Sequence, residues 1–217
     1  SVESCRSIES CLFYMAQDRR ADSSRLPRGN KPVKAHVLVT ANTSWNLLNY
    51  RRTLIESLIE AGYEVTLLAP QDESSAQLKS LNCNVETIPI TQRGLAPHRE
   101  LRTLFQFFWV IRSIRPQSVV SFTIKNNLYA GLVCRLLGIN FFPNVSGRGA
   151  AFSRPGLLSG FISYWYRLSF KRATTIFYQN VQDRQFFLSK GCGTRVPSVV
   201  LPGSGVDLAK FSYHPMP

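Results

Sequence analysis

Acidic residues are missing from the middle of this chain. None lies between Glu100 and Asp183, a stretch that holds Arg102, Arg112, Arg115, Lys125, Arg135, Arg148, Arg154, Arg167, Lys171 and Arg172. This one-signed field, within a net charge of +13 over 217 residues, suits phosphate-bearing partners: nucleic acid, anionic lipid or a diphosphate substrate. A generally basic, solvated surface has the same composition, so charge alone does not choose among them. Long apolar runs are also missing, and without some 18 such residues in a row a spanning helix is not expected. The five cysteines (Cys5, Cys11, Cys83, Cys134 and Cys192) form no C-x-x-C pair. That excludes a zinc pattern, makes a poor disulfide framework and points to a reducing, cytoplasmic setting. Histidine is scarce and scattered (His36, His98, His214), so neither a nucleophilic triad nor a metal-ligand set can be assembled, and no catalytic residue is assigned.

What is present is enough for one packed domain, with 44% apolar and 12% aromatic residues. Residues 1–33 differ from the rest: they are rich in Ser, Arg and Asp, and Leu12-Phe13-Tyr14-Met15 is their one apolar patch. They lack the apolar core and cleavage site of a secretory signal and read as a disordered leader or linker, with Met15 as an alternative start. From residue 34 to 215 the chain alternates. Short apolar runs at 35–41, 63–70, 84–90, 118–124, 139–146, 174–180 and 198–203 predict strands. Between them, helical spacing appears at 47–62, 73–81, from Pro97 to just before Pro116, at 128–138, 157–172 and 181–191, with Gly62 and Gly138 as stops. The strands are continuous apolar runs, as expected when helices cover both faces. The expected fold is α/β, a Rossmann-like, doubly wound parallel sheet.

In such a sheet, ligands bind beyond the carboxyl ends of the strands. Asn42-Thr43-Ser44-Trp45-Asn46 after the first strand leads into a helix carrying Asn49, Tyr50 and Arg51, which suits an anionic or sugar-hydroxyl ligand; taken alone, an ordinary cap by Ser44 or Asn46 accounts for it better. Lys125, Asn126 and Asn127 follow the fourth strand, either as phosphate and sugar ligands or as a capped turn. Gly147-Arg148-Gly149 follows the fifth, offering close backbone approach and a planar phosphate fork. It lacks the third glycine of a dinucleotide fingerprint, and the first βα turn has no glycine, which disfavours a nicotinamide site. Gly203-Ser204-Gly205 follows the last strand, with Asp207 placed to cap the next turn. In helix 157–172, Phe161, Ile162, Trp165 and Leu168 lie near one another, ringed by Arg154, Arg167, Lys171 and Arg172. That mixture fits either an anionic membrane surface or a core helix with a solvated rim.

Five segments in order, NTSWNLLNYRRTLIESLIEAGYEVTLLAP, SFTIKNNLYAGLVCRLLG, NVSGRGAAF, FYQNVQDRQFFLSKG and LPGSGVDLAKF, resemble the N-terminal half of family-4 glycosyltransferases. The likeness is to the branch that builds bacterial lipid-linked oligosaccharides, capsules and lipopolysaccharide. The resemblance implies a single N-terminal domain of a GT-B architecture, whose missing C-terminal donor domain or partner subunit would bind a nucleotide sugar, a UDP-sugar by expectation. It implies transfer of a hexosyl or N-acetylhexosaminyl group with retention to a polyprenyl-diphosphate-linked acceptor, without metal or other cofactor. It also implies that this chain is inactive alone and peripheral to the cytoplasmic face of the inner membrane. Acceptor contacts are carried over to Asn49, Arg51, Lys125, Asn126, Gly147 and Arg148, with Ser204 and Gly205 facing the interdomain cleft. Two features depart from the family: Thr43-Ser44-Trp45-Asn46 replaces a frequent Gly-Gly pair, and Lys125 stands where a histidine is often found. A non-catalytic, membrane-associating subunit of a split enzyme would read the same way. A basic nucleic-acid-binding module has no helix-turn-helix, RNA-recognition or zinc motif behind it, and nucleic acid is not an expected partner.

Overall fold

The computed structural model of the chain describes residues 34–90, 97–149, 152 and 156–201. The expected leader, residues 1–33, lies outside them, as do Arg154, Ser204, Gly205 and Asp207. In chain order the elements are β1 (His36–Thr40), α1 (Ser44–Tyr50), α2 (Arg52–Glu60), β2 (Glu64–Ala69), α3 (Ser75–Leu78), β3 (Asn84–Thr87) and α4 (Pro97–Ile114). Then come β4 (Ser118–Phe122), α5 (Ile124–Leu137), β5 (Asn140–Val145), α6 (Leu157–Phe170), β6 (Ile176–Tyr178), α7 (Val181–Ser189) and β7 (Ser198–Val200).

The strands form one parallel sheet in the order β3-β2-β1-β4-β5-β6-β7. Successive strand residues point to opposite faces, and the buried clusters follow that parity. Leu38, Val119, Phe141, Ile176 and Tyr178 pack under α4, α5, α6 and α7 on one face. Val37, Val39, Val120, Phe142 and Phe177 join Leu47, Leu54, Ile55, Leu58 and Leu78 of α1–α3 on the other. Chain order reverses between β1 and β4, which marks the switch point of a doubly wound sheet.

Local chemistry sets the ends of the elements. Gly138 stops α5 in the left-handed region at φ +71°, and its N–H reaches Cys134 O. Gly62 follows the end of α2 at φ +82°. The cap of α1 is neither Ser44 nor Asn46: the Thr43 side chain accepts from Asn46 N at 3.0 Å. Ser44 instead donates to Pro70 O at 2.8 Å, pinning α1 to the β2 end.

The single helix expected over 47–62 is two. Arg51, at φ −123° and ψ 0°, separates α1 from α2, and its guanidinium lies 4.0 Å from the Phe122 ring centroid. The strand expected over 118–124 ends at Phe122. Lys125, Asn126 and Asn127 therefore sit in the first turn of α5 and not in a strand-end loop. The β-branched Thr123 and Ile124 extend the apolar run, but tertiary hydrogen bonds to Asn126 and Asn127 start the helix at once.

Candidate functional site

A cavity of about 300 Å³ opens at the carboxyl ends of the strands, across the β1/β4 switch point. Its lining comes from four strand ends: Asn42 after β1, Ile90 beyond β3, Thr123, Ile124 and Lys125 after β4, and Ser146, Gly147 and Gly149 after β5. Thr123 shapes its floor. At φ +71° and ψ 156° this β-branched residue holds a backbone conformation that costs on the order of 1–3 kcal/mol.

A chain of hydrogen bonds holds that turn in place. Thr123 Oγ1 donates to Asn126 Oδ1 at 3.0 Å. Asn126 Nδ2 donates to Thr40 Oγ1 at 2.7 Å, and Thr40 Oγ1 donates to Leu68 O at 2.8 Å. The relay runs from the β4–α5 turn through β1 into β2. Next to it, Asn127 Nδ2 donates to Asn144 O at 2.9 Å and ties α5 to β5. Asn126 is fully buried and both ends of its amide are engaged, so it builds the cavity wall and presents no edge to a ligand.

Lys125 reaches the cavity with its charge already matched. Its Nζ lies 2.7 Å from Glu100 Oε1, and the other Glu100 oxygen accepts from Tyr129 OH. Glu100 is 8% exposed, and the pair couples the start of α4 to the start of α5. Gly147, at φ +145°, holds a positive-φ backbone that L side chains rarely adopt, and Gly149, at φ +70°, faces Ile124 so closely that an added Cβ would stand 2.2 Å from Ile124 Cδ1. A side chain there would have to displace the end of Ile124 and hold a left-handed backbone.

Arg148 is not in the cavity lining. Its Nε pairs with Asp183 Oδ1 at 3.0 Å and its guanidinium lies 5.2 Å from the Phe186 ring centroid. Asp183 in turn completes a reciprocal cap of α7: its N–H donates to Asn180 Oδ1 at 2.7 Å, and Asn180 Nδ2 donates to Asp183 Oδ2 at 2.9 Å. Arg148 thus fastens the loop after β5 to α7. Asn49 donates through Nδ2 to Trp45 O at 2.9 Å, and Arg51 is buried beneath the sheet end at 7% exposure. Neither is in the cavity lining. Of the six residues carried over from the resemblance, the fold brings Lys125 and Gly147 into one cavity, puts Asn126 behind its wall and leaves Asn49, Arg51 and Arg148 in supporting positions.

Sequence reasoning gave no site role to Glu100 or Tyr129, and named Asn42 and Thr123 only as members of the loops after the first and fourth strands. One signal was there to be read: Glu100 is the last acidic residue before the long basic stretch, and a lone carboxylate at such a border is a natural partner for a half-buried lysine. The described thiols offer no nucleophile. Burial pushes Cys83 and Cys192 up to about 11 and Cys134 higher still. Among the described residues no group of three or more His, Cys, Asp or Glu could hold a metal ion. What the cavity can do chemically is hold a ligand through hydroxyl, amide, backbone and ammonium groups.

The family model described as glycosyl transferase 4-like matches residues 36–180. An N,N'-diacetylbacillosaminyl-diphospho-undecaprenol alpha-1,3-N-acetylgalactosaminyltransferase of Campylobacter jejuni is 24% identical over 171 residues, covering 76% of this chain and 45% of that enzyme. The chain thus spans less than half the length of this relative. A glycosyltransferase from Rickettsia africae superposes with a TM-score of 0.56 at 10% identity, over 77% of this chain and 43% of that one. A UDP-GlcNAc 2-epimerase from Methanocaldococcus jannaschii does so with a TM-score of 0.53 at 15% identity, over 77% and 45%. At these identities the structural likeness is one of fold.

Proposed function

The chain belongs to the glycosyl transferase 4-like family, and from that premise we propose that it is the acceptor-binding half of a retaining glycosyltransferase. In this reading it presents a polyprenyl-diphosphate-linked saccharide to a nucleotide sugar, a UDP-sugar, held by a donor domain or partner subunit. The product feeds a bacterial surface polysaccharide such as capsule or lipopolysaccharide, and no metal or other cofactor takes part. The observation that carries the reading is the hydrogen-bonding cavity at the β1/β4 switch point, built from segments inside the family match. The relative from Campylobacter jejuni, whose name includes a diphospho-undecaprenol-linked saccharide, supports the acceptor class.

The partner surface is the outer face of α4 and α6, which both pack against α5. Leu101, Phe105 and Trp109 of α4 and Phe161 and Tyr164 of α6 are exposed, and Arg102, Arg112, Arg167 and Lys171 lie on the same two helices or at their ends. The apolar residues predicted for such contact on α6 divide differently: Phe161 faces out, Ile162 is buried, and Trp165 is half-buried with its ring 5.5 Å from that of Tyr129. Aromatic side chains among cations suit an anionic bilayer surface, which would place the chain at the cytoplasmic face of the inner membrane. Among the described residues no helix is long and apolar enough to cross it.

The test joins this chain to candidate family donor domains and assays sugar transfer from several UDP-sugars to a synthetic polyprenyl-diphosphate-linked N-acetylhexosamine. Product that depends on both halves is the expected result. Transfer that proceeds equally well when this chain is omitted would sink the reading.

A further inference from the structure

Among the described lining residues of the cavity Lys125 is the cation, and two residues outside that lining keep it in place. Lys125 Nζ lies 2.7 Å from Glu100 Oε1, and the second oxygen of Glu100 accepts from Tyr129 OH. Each step away from the cavity is more deeply buried. The Lys125 side chain is 18% exposed and that of Glu100 10%. Tyr129 is 1% exposed, and its ring centroid lies 5.6 Å from that of Phe107 and 5.5 Å from that of Trp165.

Stability does not explain this arrangement. α4 and α5 already pack through Phe107, Ile111, Tyr129 and Val133 in one apolar cluster. An ion pair withdrawn from water gains little over apolar side chains of similar volume, because desolvation offsets the attraction. Lys125 is also badly placed for its own helix. It is the second residue of α5, where the backbone N–H dipoles disfavour a cation. An ordinary pair on this molecule looks different: Arg52 and Glu56, one turn apart on α2, are 56% and 42% exposed, and such pairs contribute little. What the buried arrangement does secure is the place of one ammonium group. A lysine carries its charge on a flexible four-carbon stem, which loses freedom when it meets a ligand. At this cavity that freedom is already lost on folding, so the group is set in position beforehand.

We propose that Glu100 and Tyr129 are positioning residues for the reaction. Tyr129 orients the Glu100 carboxylate, and the carboxylate holds the Lys125 ammonium at the cavity wall, where it donates to the bound substrate. Glu100 and Tyr129 do not touch the substrate themselves and act through Lys125. This deepens the glycosyltransferase reading and rests on it for the reaction.

The first arm of the test uses the full chain alone, labelled with nitrogen-15, and records its lysine ammonium signals at pH 7. A charge-assisted hydrogen bond slows exchange of ammonium protons with water, so Lys125 should give a resolved signal, assigned by its loss in Lys125→Arg. The exposed Lys34, Lys79, Lys171 and Lys190 should not. Glu100→Gln should speed that exchange by about tenfold or more, and Tyr129→Phe by about threefold. The second arm joins the chain to a donor domain that supports transfer and measures turnover. Glu100→Gln and Lys125→Met should each lower kcat/KM by about tenfold or more, the weight of one charge-assisted contact. The double variant should be no worse than Lys125→Met, because Glu100 then has no ammonium to hold. A purely structural pair would instead lower turnover in step with melting temperature, and Glu100→Gln would add its loss in either background. Should Lys125→Met not fold, since it strands a buried carboxylate, Tyr129→Phe takes its place and should lose nothing further in the Glu100→Gln background. A Lys125 signal that is absent from the wild type, or that survives Glu100→Gln, would overturn the proposal. So would full turnover in Glu100→Gln, or a further loss in the double variant; each of these leaves the acceptor-half reading standing. If no joined form transfers sugar, that reading falls, and the role in the reaction falls with it.

Discussion

Asn126 shows how a polar residue can be indispensable to a site without touching a ligand. Its amide accepts from Thr123 Oγ1 and donates to Thr40 Oγ1, at a turn where Thr123 is held at φ +71°. Asn126→Ala removes both bonds, leaves the Thr40 and Thr123 hydroxyls short of partners and lets the strained turn relax. The expected loss is about 1–3 kcal/mol of stability, measured by urea unfolding. Asn126→Asp, of nearly the same shape, should fare no better, because it replaces the Nδ2 donor with a buried charge. The cysteines give a second test at this scale. Burial disfavours the thiolate, so Cys83 and Cys192 stay protonated until about pH 11. At pH 8 both should react with iodoacetamide more than about tenfold slower than in the urea-unfolded chain, as the thiolate fraction sets the rate. Peptide mapping by mass spectrometry reads each thiol separately. The sign is that of a raised acid: thiol burial is tolerated below the ordinary cysteine range and turns destabilising as the pH climbs toward 11.

At the scale of elements, α5 is the post around which the site is built. It starts at the cavity with Lys125 and Asn126, packs against both α4 and α6, and is buried through its middle, including Leu128, Tyr129, Val133 and Cys134. Gly131 permits that closeness. A Cβ there would stand 2.8 Å from the Phe141 ring and from Ser169 Cβ, and 3.0 Å from Ser169 O. Ser169 cannot yield easily, since its Oγ donates to Leu128 O at 2.8 Å and links α6 to α5. Gly131→Ala gains helix propensity worth about 1 kcal/mol, but the clash with backbone and ring should outweigh it. The expected net loss is about 1–2 kcal/mol, seen in denaturation and as weaker amide-exchange protection in α5 and α6. The second half of the helix shows why its extent was easy to read and its start was not. Gly138 is a stop visible in sequence, whereas the beginning at Ile124 depends on Asn126 and Asn127 finding Thr40 and Asn144 across the sheet.

On the whole molecule, two surfaces stand apart: a cavity at the strand ends, and an aromatic face with exposed cations on α4 and α6. Removing aromatic side chains from the second should leave the first intact. Phe105→Ser with Trp109→Ser, both exposed on α4, should lower co-sedimentation with vesicles containing anionic phospholipid by about tenfold or more, because two apolar anchors no longer enter the bilayer surface. The melting temperature should change little. Wild-type binding should fall as salt rises from 50 to 500 mM, since the cations act through screened attraction. Salt-insensitive binding, or none to anionic vesicles, would remove the membrane role from this face.

Periodicity was enough to declare the fold class. Continuous apolar runs alternating with helical stripes can only be covered on both faces, so a parallel, helix-flanked sheet follows from residues such as Val37-Leu38-Val39 and Val119-Val120 alone. The ends marked by Gly62, Gly138 and Pro116 were also written locally, because backbone freedom and ring closure are properties of single residues. The site was different. Lys125 and Gly147 could be nominated from their place after strands, but Glu100, 25 residues before Lys125, becomes its counter-ion only when α4 packs against α5. Arg51 and Arg148 carried the same charge in sequence. The fold laid one on Phe122 and tied the other to Asp183. Which charges remain available to a ligand is decided by distances of a few ångströms between residues far apart in the chain, and only the folded sheet sets those distances.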